Sequence, residues 1–240
     1  MKNILITLFL GTFLLTSCMK DNFEGPNASF LGAIIDEKTN EYVETDLQNG
    51  STIEAYELGY EDPVAQKWVI KNNGEFRNNL VFANDYDLYL RNGNFYPQEF
   101  KSFKIKKGEN EHNFIVKPYL RILDESITYD KTAKKIIAKF KLEGGNGDEK
   151  VKNVRLYAFS DMHVGEAVKF DVKNSSDKIE GINTVVDPSY QYELSIDLDK
   201  NPSLFKSGRN YFFRIGALAN IDNVGTIRHN YAPYVKITLE

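Results

Sequence analysis

Apolar and polar side chains alternate with a period of two along most of this chain. Tyr190, Tyr192, Leu194, Ile196 and Leu198 are interleaved with Gln191, Glu193, Ser195 and Asp197. Tyr86, Leu88 and Leu90 alternate with Asp87, Tyr89 and Arg91, and Val235, Ile237 and Leu239 with Lys236, Thr238 and Glu240. Ile136, Ala138, Phe140 and Leu142 fall on one side, Ile137, Lys139 and Lys141 on the other. Successive side chains of a strand point to opposite faces, so this period predicts strands with one face on a core and one in water. No stretch of ten or more residues carries a helical period, and no helix longer than about three turns is expected. Asn49-Gly50, Asn72-Asn73-Gly74, Arg91-Asn92-Gly93, Lys107-Gly108 and Gly144-Gly145-Asn146-Gly147 read as turns between the strands. The predicted fold is all-β, with two antiparallel β-sandwich domains in tandem. Pro118 cannot donate to a strand ladder and follows the pattern that ends at Val116. It places the boundary between a domain at 27–117 and a second at 118–240.

The first residues follow another plan. Lys2 precedes an apolar run from Ile4 to Leu15 interrupted only by Thr7, Gly11 and Thr12. That run is shorter than the ~20 apolar residues needed to cross a bilayer and fits the apolar region of a signal sequence. It ends in Leu15-Thr16-Ser17-Cys18, which resembles the bacterial lipobox. The resemblance implies a signal peptide at 1–17, acylation of the Cys18 thiol, and a lipidated tether at 18–26 that anchors the chain to a membrane. Cys18 is the sole cysteine, so neither a disulfide within the chain nor a thiolate metal cluster is possible. The polar stretch Met19-Lys20-Asp21-Asn22-Phe23-Glu24 resembles the signal that sends Bacteroidetes lipoproteins to the outer face of the outer membrane. The location it implies is the cell surface.

Several pieces of the first half occur in a recognisable order. Phe30-Leu31-Gly32-Ala33-Ile34-Ile35-Asp36 is followed by Thr39 and Glu41, then by a strand from Thr52 to Leu58. Asn73-Gly74-Glu75-Phe76 comes next, then Phe82-Ala83-Asn84-Asp85-Tyr86. This order resembles the transthyretin-like, or carboxypeptidase-regulatory-like, domain. Asn84 stands where that family has a glycine, and Asn tolerates positive φ better than most residues. The second half, with strands at 210–218 and 234–239, resembles an immunoglobulin-like or fibronectin-type-III sandwich. With the lipobox and the Phe212-Arg214-Gly216 strand, the whole resembles a two-domain lipoprotein family of Bacteroidetes that occurs beside SusC- and SusD-like glycan importers. The resemblance implies a part in polysaccharide capture or uptake and carries over no catalytic residue.

Charge and chemistry narrow the partner classes. The formal net charge is −4, basic and acidic residues are interleaved, and loss of Lys2 with the signal leaves −5. Without a basic block to neutralise phosphates, nucleic acid is not an expected partner. His112, His163 and His229 stand singly without ligand spacing, and no nucleophile elbow, phosphate loop or zinc-protease pattern occurs. Asp197-Leu198-Asp199-Lys200-Asn201 begins like a calcium loop, but Pro202 stands at the glycine position and Gly208 at that of the bidentate Glu. No metal, cofactor or catalytic site is therefore expected. Loop aromatics flanked by polar groups remain, because sugar rings stack on π faces while neighbouring polar groups read hydroxyls. Tyr96, with Asn92 and Asn94, is the first candidate, followed by Tyr231 and Tyr60. Trp68 alternates with Ile70 and is expected in the core. The expected role is a non-catalytic glycan-binding lipoprotein. The rival is an accessory subunit that packs on an importer without touching sugar.

Overall fold

A computed structural model describes residues 24–240. Cys18, the signal sequence and most of the expected tether lie outside the described residues. The first domain comprises β1 (Ala28–Asp36), β2 (Thr52–Glu57), β3 (Gln66–Val69), β4 (Glu75–Val81), β5 (Asp85–Arg91), β6 (Gln98–Lys104), β7 (Gly108–Glu111) and β8 (Phe114–Val116). One sheet runs β4-β1-β7 with β8 also on β1, and the other runs β3-β2-β5-β6. The second domain comprises β9 (Leu120–Asp130), β10 (Lys135–Gly144), β11 (Lys150–Phe159), β12 (Lys178–Val185), β13 (Tyr192–Asp197), β14 (Asn210–Asn220), β15 (Asn230–Tyr231) and β16 (Val235–Thr238). Its sheets are β13-β10-β9 and β12-β11-β14-β15, with β16 on β14. No helix occurs among the described residues. The fold is all-β, with two domains in tandem.

The alternating segments became strands for the expected reason. Tyr86, Leu88 and Leu90 of β5 are buried, as are Ile136, Ala138, Phe140 and Leu142 of β10. They join separate apolar clusters, one in each domain. Trp68 lies in the first cluster, its ring 5.7 Å from that of Phe30 and 5.6 Å from that of Tyr86. The turns at Asn49, Gly74, Asn92, Gly108 and Gly147 all have positive φ. Asn84 does not reach that region; its side chain holds the turn instead, donating to Glu57 Oε1 and Leu58 O, each at 3.0 Å. Two pairings depart from the antiparallel expectation: β1 runs parallel to both β7 and β8.

The joint between the domains is not a free linker. Tyr96 N donates to Lys117 O at 2.9 Å, and Tyr119 N donates to Asn94 O at 3.0 Å. Pro118 sits between these two bonds, held against the first domain on both sides.

Candidate functional site

The site begins with β14, whose two faces are both covered. Tyr211, Phe213, Ile215, Ala217 and Ala219 point into the core of the second domain. The opposite face carries Phe212, Arg214 and Gly216, and the first domain closes over part of it. Arg214 has no exposed surface. Its guanidinium donates to Glu44 Oε2 at 2.5 Å, to Thr45 O at 3.1 Å and to Asn72 O at 3.0 Å, all in the first domain. Val164 O at 3.2 Å and Ala232 O at 3.0 Å accept the rest. The guanidinium also lies 4.1 Å from the centre of the Tyr231 ring, a cation–π contact between buried groups. Gly216 makes room for this arrangement, because a Cβ there would stand 2.7 Å from the Tyr157 ring and 2.8 Å from the Tyr231 ring.

The surrounding seam is polar and most of its groups are paired; Tyr119 Oη and Arg228 Nε are buried there with no partner among the described residues. Tyr231 Oη donates to the Asp46 carboxylate and accepts from Glu166 N at 3.0 Å. Burial raises the Asp46 carboxyl above its usual range despite that bond and the nearby Arg214, and burial likewise raises Glu44 against the pull of Arg214. Burial and the Asp46 charge push the Tyr231 hydroxyl well above the ordinary tyrosine value. Burial pushes His229 down to about 4, so its imidazole is neutral near pH 7. Arg121 grips Asp36 with two bonds of 2.6 and 2.7 Å and reaches Glu143 at 3.1 Å. At Asp36 burial alone would raise the carboxyl, but the Arg121 bonds and the Lys38 amide outweigh it and the group is held low.

Beside the Arg121–Asp36 pair the seam opens into a cleft of about 660 Å³. Leu120, Ala232 and Tyr231 form its buried lining, and Thr39, Asn40, Glu41, Asp124 and Glu125 contribute exposed polar groups. Tyr42 belongs to the same cleft and leaves 52% of its surface open. The ring is placed by the turn after β1: Lys38 N bonds Asp36 Oδ1 at 2.9 Å, Asn40 takes φ of 61°, and Asp36 N returns to Glu41 O at 2.9 Å. A smaller hollow of about 310 Å³, lined by Asp46, Glu166, Arg228 and His229, lies elsewhere on the seam; Tyr231 borders both. An apolar floor, an open aromatic ring and converging polar groups between two domains are the usual makings of a small-molecule or glycan site.

Comparison with known proteins gives this architecture a family. The N-terminal domain of a protein family of unknown function, DUF3823, matches residues 28–117, and the DUF3823 C-terminal domain, also of unknown function, matches residues 120–236. The chain belongs to the DUF3823 family. A crystal structure from Bacteroides uniformis, described as a "putative carbohydrate binding protein", is 45% identical with a TM-score of 0.85, covering 90% of this chain and 100% of that one. A DUF3823 family protein from Parabacteroides merdae is 19% identical with a TM-score of 0.69, covering 90% of this chain and 100% of that one. One from Bacteroides ovatus is 18% identical with a TM-score of 0.69, covering 89% and 100%. At that identity the last two share the fold. No curated protein matches the chain.

In this DUF3823 chain the aromatic candidates read from the sequence are mostly not open platforms. Tyr231 is 8% exposed; the first domain covers the loop that was expected to present it. Asn94 is fully buried, donating to Glu44 O at 2.7 Å and His229 O at 3.1 Å and accepting from Ser51 Oγ at 2.8 Å. Tyr96 is half-buried, with its ring 5.0 Å from that of Tyr119 and its hydroxyl donating to Glu149 at 2.6 Å. Asn92 accepts from Thr226 N at 3.0 Å. These four residues are brought together as cross-domain ties. Tyr60 is open, but it stands at the far end of the first domain. Tyr42 is not among the residues singled out from the sequence. It has the same signal as Tyr60, an aromatic in a polar loop. Arg214 also had a signal: it is the one charge in the otherwise apolar run from Tyr211 to Ala219.

Proposed function

We propose that this protein is a non-catalytic glycan-binding lipoprotein, anchored through Cys18 at the outer membrane and serving a SusC/SusD-type importer. In this reading the cleft between the domains receives a segment of polysaccharide, and Tyr42 is the platform on which a sugar ring stacks. The observation that carries the reading is the half-open Tyr42 ring in a cleft where the exposed Glu41 and Glu125 carboxylates can meet hydroxyls, while Asp124 is paired with Lys141 at 2.8 Å. The description of the 45% identical relative supports it. The charge of the cleft narrows the ligand. Arg121 and Arg214 are spent on Asp36, Glu44 and carbonyls, whereas Glu41 and Glu125 remain exposed. Carboxylates accept hydrogen bonds from sugar hydroxyls and repel uronates or sulfates, so an uncharged glycan is the fitting class.

Affinity electrophoresis in gels carrying a panel of neutral and acidic polysaccharides tests this. Tyr42→Ala should lose retention on a neutral glycan with an unchanged melting temperature, while Tyr60→Ala retains it. Absence of retention for the parent protein across the panel would overturn the reading and favour the accessory subunit.

A further inference from the structure

The end of the first domain remote from the seam is built differently from the end that meets the second domain. Pairing registers define it: Ala28 lies opposite both Val81 and Gly108, Glu57 opposite Tyr86, and Asp85 opposite Lys104. The loop after β2, the loop between β4 and β5 and the turn before β7 therefore share this end. Asn84 ties the first two loops through its bonds to Glu57 and Leu58. Asn27, where the chain enters the domain, is locked among them. Its amide donates to Val81 O at 3.1 Å, its side chain accepts from Ala83 N at 2.8 Å, and its carbonyl accepts from Gly108 N at 3.0 Å.

Four large apolar side chains are left uncovered here: Val64 at 82%, Leu80 at 74%, Tyr60 at 64% and Phe82 at 39% exposure. Single exposed apolar residues are ordinary, but several gathered at one end of a domain mark a contact surface. Lys104, Lys106 and Lys107 are exposed on the adjoining strand and turn.

We infer that this end of the first domain rests on the bilayer that holds the lipid anchor, with Tyr60, Val64, Leu80 and Phe82 at the level of the headgroups. The inference rests on the anchoring at Cys18 proposed above. Only eight residues separate Cys18 from Asn27, a reach of ~30 Å even when fully extended. The chain enters between the Phe82 loop and the Lys107 turn, so the bilayer and the apolar end are held within that distance of each other. Chemistry agrees. Tyrosine favours the membrane interface, where its ring is apolar and its hydroxyl wet. Lysines beside an apolar patch keep their ammonium groups at the lipid headgroups. Glu61 and Asp62 in the same loop remain exposed, which limits the contact to a shallow one. The opposite end of β1, a strand of nine residues and ~30 Å long, then holds the cleft away from the lipid and toward the medium.

Depth-dependent fluorescence quenching tests the orientation. Tyr60→Trp is prepared in the mature acylated chain and reconstituted in phosphatidylethanolamine–phosphatidylglycerol vesicles carrying a shallow doxyl-labelled lipid. Trp68, buried in the core, supplies the same background to every variant. Tyr190→Trp, at an exposed position of the second domain, is the control. The expected result is a blue shift and loss of emission for Tyr60→Trp and neither for Tyr190→Trp. Val64→Trp repeats the measurement should Tyr60→Trp fail to fold. Vesicle-bound, acylated protein with no quenching at either tip position overturns this inference and leaves the anchor standing. Equal quenching at Tyr60 and Tyr190 overturns it too, because the molecule would then lie along the bilayer. A chain that floats with no vesicles and carries no acyl mass overturns the anchor and this inference together.

Discussion

The two sandwich cores and the seam between them are buried to a similar degree but held by different forces. The cores are clusters of apolar and aromatic side chains: Phe30 meets Phe114 edge to face and Phe76 at a tilt in one, and Phe140 stacks on Tyr192 at 5.3 Å in the other. The seam buries Arg214, Asp46, Arg121, Asp36, Asn94 and Asn230. Apolar burial is roughly proportional to area and has no direction, so it stabilises each sandwich without caring which neighbour is used. A buried charge is costly unless every bond is made, so the seam tolerates one relative placement of the domains. The lesson is a division of labour: the cores supply stability, and the seam supplies the orientation on which the cleft depends.

The largest effect should come from Arg214→Ala, which strands Glu44 and two first-domain carbonyls and costs about 3–5 kcal/mol. Phe140→Ala should cost a similar amount, about 3–5 kcal/mol, through a cavity. Calorimetry separates the two. Phe140→Ala lowers the transition of the second domain, whereas Arg214→Ala splits unfolding into two independent transitions. A single shifted transition in both variants would break the contrast. Arg214→Met combined with Glu44→Gln should restore most of the stability without restoring the orientation.

A smaller effect is expected from Tyr231→Phe, which removes the hydroxyl shared by Asp46 and the Glu166 amide. Leaving those groups short of a partner costs about 1–3 kcal/mol, measurable from the urea midpoint at unchanged slope. No loss would mean that water replaces the hydroxyl.

The smallest effect sharpens the contrast within the seam itself. The folded pKa of Asp36 is lowered from 3.8, so its pairing with Arg121 contributes stability above that value and loses it as pH falls through the folded pKa. Glu44 and Asp46 are raised from 4.5 and 3.8. The folded state binds their protons more tightly, so their contribution is most favourable at acid pH and declines as pH rises through the raised values. Denaturation followed from pH 3 to 7 should show Asp36→Asn flattening the acid loss and Asp46→Asn flattening the opposite slope. The same change in both variants would show that the two carboxylates share one environment.

Much of the fold was legible because its signals are local. Burial at every second residue marks β5, β10 and β13 wherever they occur, and Asn or Gly at Asn49, Gly74, Asn92 and Gly108 permits the positive φ the turns use. The parallel pairing of β1 with β7 and β8 carries no such mark, since it joins segments about 80 residues apart. The site was less legible. Tyr96 and Tyr231 look like exposed loop rings in one dimension, and Tyr42 looks like part of a turn. Which of them meets solvent is decided by the other domain: Asp46 covers Tyr231 across 185 residues of chain, and Glu149 caps Tyr96 across 53.

The sequence by itself determined that this protein is built of strands in two successive units, because side-chain alternation and turn chemistry act between neighbours along the chain. It also marked Arg214 as a charge in an apolar strand, though without naming its partners. Only the tertiary structure decided that Glu44, Thr45 and Asn72 would meet that guanidinium, that Tyr231 would close beneath it, and that Tyr42 would remain open in the cleft that Tyr231 borders. The physical reason is that a buried charge must collect its hydrogen bonds from wherever the chain can bring them. Here three of the five come from the opposite domain, and the same docking that satisfies Arg214 leaves the cleft.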